Sequence, residues 1–244
     1  MNKDEKRINR QFLRNLLLFV AVIIVGIIVA ILILLYYPTD SVKYVFIFFE
    51  LLLLIVVSSL FKGKLERITN ISYLIKIMSH PGDPLPLVNG RYKEKLARNL
   101  TDLGFERYSM DNKHTLYYRV NKDYIKKTFR RYMLEVVVVI HDTTLPFYLE
   151  EVDSEIAKIQ TEQLKNRVRF DKMLITQIKD VLDINDKVKE ELREIIFVKT
   201  KYSVISAINV GLHQTSSQAV MLYSSTYSPS LYYTQHIETI KKII

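Results

Sequence analysis

The chain has no cysteine and no tryptophan, and only six glycines, six prolines and five histidines among its 244 residues. Without cysteine there is no disulfide framework, no thiolate zinc site and no cysteine nucleophile. The glycines are scattered, so neither a phosphate-binding P-loop nor a dinucleotide fingerprint can be drawn through them. The histidines, His80, His114, His141, His213 and His236, stand at no spacing that places two on one helical turn, and HExxH is absent. No metal site and no cofactor is therefore expected. The serines, among them Ser206, Ser216, Ser224 and Ser228, fall in neither G-x-S-x-G nor S-x-x-K.

What is abundant is apolar residue, 49% of the chain, and it is unevenly spread. The run from Leu16 to Tyr37, LLLFVAVIIVGIIVAILILLYY, holds no charge and no amide. As a helix rising ~1.5 Å per residue it reaches ~33 Å, enough to cross a bilayer. A second run, Tyr44 to Phe61, is interrupted only by Glu50, Ser58 and Ser59, and reaches ~27 Å. The loop between them is short. We therefore expect a transmembrane hairpin within residues 1–80, with spans at about 13–37 and 44–62. A cleavable signal peptide fits less well, since the first run is too long and no small-x-small site follows it.

Basic residues orient the hairpin, because cytoplasmic flanks collect lysine and arginine. Lys3, Lys6, Arg7, Arg10 and Arg14 precede the first span, Lys62, Lys64, Arg67 and Lys76 follow the second, and the loop offers only Lys43. The expectation is a multi-pass cell-membrane protein with both termini cytoplasmic. Tyr36, Tyr37 and Tyr44 then meet the outer interface, which suits an amphipathic phenol. Glu50 is the one acid inside a span, and an intramembrane acid is a functional candidate by default. It lies ~9 Å from the outer end of its helix, so snorkelling, protonation or a hydrogen bond across the hairpin competes with a transport role. Gly26 and Ala30 form a small-xxx-small pair that permits self-association or a membrane-protein partner.

Past Phe61, Leu65, Ile68, Ile71, Ile75 and Met78 recur at three and four, which predicts a juxtamembrane helix. Its basic residues either obey the orientation rule or touch anionic lipid head groups. PGDPLPLVNG, residues 81–90, reads as a linker, and residues 91–244 as a cytosolic α+β domain built on a mixed sheet with helices. Leu96, Leu100 and Leu103 line a helix stopped by Gly104. FERYSM and HTLYYRV read as a hairpin, since Leu116, Tyr118 and Val120 alternate with Thr115, Tyr117 and Arg119, with one face buried and one wet. YMLEVVVVI, residues 132–140, is apolar on both faces and reads as a central strand. Two helices are expected next, one through Leu149, Val152, Ile156 and Ile159, the other through Phe170, Leu174, Ile178 and Val181. A short helix from Lys187 to Glu194 follows behind Asn185 or Asp186. The runs IIFVKT, SVISAINVGL and AVMLYSS add sheet. Ser228-Pro229 opens a last helix that buries Leu231, Ile237 and Ile240.

Two candidate sites remain. Lys122, Lys126, Lys127, Arg130 and Arg131 form a basic cluster with Tyr124, Phe129 and Tyr132 interleaved, while Asp142 to Glu162 is acidic. The cluster is either paired with the acidic helix or solvated, or it binds anionic lipid, a partner protein or, least favoured, nucleic acid. His141-Asp142, at the end of the central strand, is the best-placed polar pair for catalysis, although a strand-capping turn uses the same residues. The element order helix, strand, strand, strand, helix, strand from Arg91 to Thr200 resembles restriction-endonuclease-like nucleases, a family that holds a metal with an acid on the second strand and E-x-K on the third. This sequence departs at both places: HTLYYRV has no acid, and Glu135-Val136-Val137 lacks the lysine. The reading is a membrane-anchored binding or regulatory domain in contact with the bilayer. A membrane-tethered hydrolase or degenerate nuclease is the alternative, and lipid or nucleic-acid surface binding the third.

Overall fold

The computed structural model describes residues 3–36, 39–88, 93–123, 125, 132–201 and 203–244. It divides into two compact units, residues 1–75 and 76–244.

The first unit is built from α1 (Lys3–Tyr36) and most of α2 (Asp40–Ser79). Both helices are long and apolar enough to cross a membrane. Their side chains lie open: Leu35 is 73% exposed, and Ile55 and Leu60 are each 70% exposed. A core helix of a water-soluble domain would bury such a window. Where the helices meet, Phe19 and Phe61 stack at 5.5 Å. A Cβ placed on Gly26 would come within 2.8 Å of Leu54 Cδ2, so glycine permits this close approach within the pair. α2 continues without a break past Phe61, so the juxtamembrane segment is helical.

The second unit is an α+β domain around an eight-stranded mixed sheet. Its strands are β1 (Leu85–Pro86), β2 (Glu106–Met110), β3 (His114–Lys122), β4 (Tyr132–Ile140), β5 (Phe170–Asp180), β6 (Ile196–Lys199), β7 (Val204–His213) and β8 (Gln218–Met221). Its helices are α3 (Lys93–Asp102), α4 (Glu150–Lys165), α5 (Asp186–Arg193) and α6 (Leu231–Ile243). The sheet order is β1-β8-β7-β5-β4-β3-β2, and β6 pairs with the first half of β7. β4, β5 and β7 run parallel, with antiparallel strands outside them. Parallel neighbours need crossovers, and α4 supplies the one from β4 to β5. From Met133 to Ile140 β4 is buried throughout, as a strand covered on both faces must be. On one face Leu116, Leu134, Val136 and Val138 pack against Val152, Ile156 and Ile159 of α4. On the other lie α3 and α6, with Leu96, Leu100, Ile237 and Ile240 buried.

Three expectations change. The second of the two helices is strand β5. Leu174 and Ile178 are four apart, which keeps one face of a helix but equally one face of a strand, since four is a multiple of two. Thr176 between them and Lys172 two residues before Leu174 are buried in the sheet rather than turned to water. β3, expected to keep one face wet, is covered on both faces at its start: Thr115 and Tyr117 are buried along with His114 and Leu116. The last helix starts two residues later than expected. Ser230, in extended backbone, is the cap and its oxygen accepts from Tyr233 N. That phase buries Tyr232, Tyr233 and His236 and leaves Leu231 67% exposed.

The proline-rich segment carries more structure than its composition suggests. Leu85 and Pro86 pair with β8 at the sheet edge, where a missing amide is tolerated. Gly82 N donates to Tyr223 O and Leu87 N to Ser217 O.

Candidate functional site

His141 and Asp142 sit where β4 ends, and they do the work of a turn. His141 N donates to Lys113 O, and its Nε2 lies 2.8 Å from Thr115 Oγ1. Asp142 Oδ1 accepts from both Oγ1 and N of Thr144, and these bonds hold its carboxyl below the usual range.

Of the basic cluster, Lys122 is exposed at the end of β3. Lys126, Lys127, Arg130 and Arg131 lie outside the described residues, as do Tyr124 and Phe129. The acidic helix finds partners elsewhere. Glu151 pairs with Lys113 at 2.5 Å, Glu155 accepts from Ser109 Oγ at 2.8 Å and meets His114 Nε2 at 3.1 Å, and Glu162 accepts from Tyr108. The β2–β3 hairpin thus uses these carboxylates. His114, 1% exposed with Glu155 on one side and Asp111 at 3.3 Å on the other, is a buried polar knot that sequence spacing did not reveal.

Glu135, the acid at the position the nuclease resemblance would use, is buried on β4 and committed. Arg119 Nη2 donates to its Oε2 at 2.5 Å and Asn121 Nδ2 to its Oε1 at 3.1 Å. Arg119 also donates to Leu103 O and lies over the Phe105 ring. The element order α3, β2, β3, β4, α4, β5 does occur, with β5 as its last strand. Among the described residues no group of three or more His, Asp or Glu is arranged to hold a metal. In the first unit Glu50 is half-buried, and both its carboxyl oxygens are enclosed without a hydrogen-bond partner among the described residues.

Two further buried polar groups tie elements together. Lys179 on β5 donates to Glu191 Oε2 at 3.0 Å and Leu145 O at 2.8 Å, with its ammonium 4.4 Å from the Phe147 ring centre. His236 of α6 bridges Thr176 on β5 and Ser206 on β7 at 3.0 and 2.9 Å, and complete burial pushes its pKa down to about 3. A neutral ring between two hydroxyls accepts at one nitrogen and donates at the other.

The most distinctive cavity lies at the N-terminal ends of β5 and β7. It encloses about 390 Å³ and is lined by Ile125, Lys172, Lys199, Thr200, Lys201, Val204, Ser230, Leu231 and Tyr232. Lys172 Nζ stands 5.3 Å from the Tyr232 ring centre, and the Tyr232 hydroxyl donates to Asp123 Oδ2 at 2.6 Å. Among the described residues the lining includes three lysines, of which Lys172 Nζ donates to Asp171 O at 3.3 Å and Lys199 Nζ to Pro229 O at 3.5 Å. Sequence reading missed it. Lys199-Thr200-Lys201 lies at a strand join in the sequence, and Lys172 falls within the segment whose spacing predicts a helix.

No family model matches the chain, and neither a curated protein nor a solved structure does.

Proposed function

We propose that the chain is a two-pass membrane protein with both termini in the cytoplasm, and that its sheet domain serves binding or regulation rather than turnover. The observation that carries this reading is the uncovered apolar surface of α1 and α2, which water would penalise at roughly 25 cal/mol per Å² and a bilayer would not. The lysines and arginines flanking both helices supply the orientation. The two residues weighed for catalysis support the binding side, because His141 and Asp142 are each engaged in local structure.

Reporter fusions test it. Green fluorescent protein at either end is expected to fluoresce, and alkaline phosphatase at either end to stay inactive. Digestion of residues 91–244 by protease added outside intact cells would overturn the orientation. Hydrolysis of a nucleic acid or ester substrate by the purified chain would favour the tethered-hydrolase alternative.

A further inference from the structure

We infer that the cavity between the 223–228 loop and α6 is a binding site for a neutral polyhydroxy compound, a single sugar ring or a cyclic polyol. This names a ligand class for the binding reading above and rests on it only for the domain's role, since the cavity belongs wholly to the second unit. It encloses about 270 Å³, and among the described residues most of its lining carries a hydroxyl. The two charged groups in that lining, Glu238 and Lys241, pair with each other at 3.0 Å. An ion entering there would give up hydration without an uncommitted counter-charge, so the lining selects an uncharged guest.

A buried donor without an acceptor stands in the wall. Tyr233 is 1% exposed, its ring packs edge-on against Phe197 at 5.7 Å, and its hydroxyl is enclosed with no hydrogen-bond partner among the described residues. Burial pushes its pKa up, so it keeps its proton. The Ser224 amide, which acts on the phenol oxygen, is itself a donor and cannot take that proton. Leaving such a donor unsatisfied is costly, and a ligand oxygen on the cavity side of Tyr233 removes the cost.

Several of the other hydroxyls are fixed by the fold. Tyr223 donates to Asp83 O at 2.9 Å, Ser224 Oγ accepts from Tyr227 N at 3.1 Å, and Ser228 Oγ lies 2.7 Å from Thr234 Oγ1. Gly82 N donates to Tyr223 O at 2.7 Å, and a side chain on Gly82 would overlap the Tyr223 ring, so the linker pins that wall. Ser225 and Thr226 stand exposed at the rim. A hydroxyl donates and accepts alike, which matches a ligand whose own polar groups are hydroxyls and ether oxygens. Ile237 and the Tyr223 and Tyr227 side chains supply apolar surface for the C–H face of a ring. A volume of about 270 Å³ falls just under the ~300–1,000 Å³ of drug-sized sites, so the guest is one ring rather than a chain of them. A free monosaccharide and a glycolipid head group share that chemistry.

The full chain in phosphatidylcholine nanodiscs is titrated by calorimetry with D-glucose, D-galactose, D-mannose and myo-inositol, and with D-glucuronate as a charged counterpart of glucose. The tightest neutral ligand is titrated again in nanodiscs containing a glycolipid that carries the same ring. At least one of the four neutral compounds is expected to bind. Tyr233→Phe should weaken it about three- to tenfold, and should melt no lower than the parent chain, since it deletes a donor that had no acceptor. Tyr148→Phe removes a hydroxyl that donates to Glu194 O outside the cavity and should leave the affinity unchanged. Ser225→Trp fills the rim from an exposed position and should abolish binding, which keeps the test decisive if Tyr233→Phe does not fold. Weaker binding of the free ligand in glycolipid discs assigns the site to a head group, and unchanged binding there assigns it to a soluble compound. No binding by any of the four, the same affinity in the parent and Tyr233→Phe, or tighter binding of glucuronate than of glucose overturns the inference and leaves the reporter-fusion result where it stands.

Discussion

The two units use the same aliphatic residues in opposite ways. In the first, Leu35 and Ile55 are 73% and 70% exposed; in the second, Leu116, Leu134, Val136 and Val138 are at 0%. A helix satisfies its own backbone hydrogen bonds wherever it sits, so α1 and α2 hold their form without hiding their side chains. A β-strand satisfies nothing alone, and the sheet domain exists only because its strands pair and its faces are covered. Buried polar residues in the second unit, such as Glu135, Lys179 and His236, each have partners, whereas Glu50 between the two apolar helices has none among the described residues.

Breaking that contrast starts with its largest consequence. The full chain should sediment with membranes and come off only in detergent, while residues 76–244 should stay in the soluble fraction. Release of the full chain by high salt or alkaline carbonate would erase the distinction between the units. Next in size is the buried ion pair of the domain. Arg119→Met leaves the Glu135 carboxylate enclosed and unpaired, and denaturant unfolding should lose ~3–5 kcal/mol. Restoring neutrality with Glu135→Gln in the same chain should recover part of that loss.

A matched pair of leucine truncations then measures the contrast directly. Leu134→Ala in the core should cost the domain ~3 kcal/mol. Leu35→Ala should leave the domain's melting curve where it was, since that side chain is already uncovered. Equal shifts would mean the units do not fold independently.

The smallest effect, taken per unit of pH, is a stability slope carried by His236. Burial lowers its pKa to about 3, against about 6.5 for the unfolded chain. The unfolded state therefore binds the proton first, so this contribution is fully present above about pH 6.5 and is lost as pH falls toward 3, at up to ~1.4 kcal/mol per pH unit. His236→Gln, which keeps a donor and an acceptor, should flatten the stability profile between about pH 6.5 and 4 relative to the parent chain. An unchanged slope would show that His236 titrates normally.

Much of the chain is legible without coordinates where one physical signal dominates. The uninterrupted apolar run of α1, the β-branched run of β4, the α5 cap at Asn185 and the stop at Gly104, whose φ is +82°, follow from length, branching, a side-chain acceptor and a left-handed backbone. β5 was misread because its buried Lys172, Thr176 and Lys179 look like a solvated helix face until their partners on α6 and α5 are known. The α6 start was misread by two residues because Ser228 and Ser230 both qualify as caps, and only Ser230 puts Tyr233 and His236 into the core.

The candidate site divides along the same line. Lys122 through Arg131 stand out as a run of charge, yet Lys172 lies far in sequence from Lys199 and Lys201 and lines one cavity with them only where β5, β6 and β7 align. Conversely, His141 and Asp142 are adjacent in sequence and have separate partners in space.

The amino-acid sequence by itself determined which segments are too apolar to be left in water and where most of the helices and strands begin and end. Each of those depends on interactions within a few residues or with the solvent. Only the tertiary structure decided which polar residues are buried with partners and which lysines share a cavity. Those outcomes depend on pairing between strands distant in sequence, and no local periodicity encodes that register.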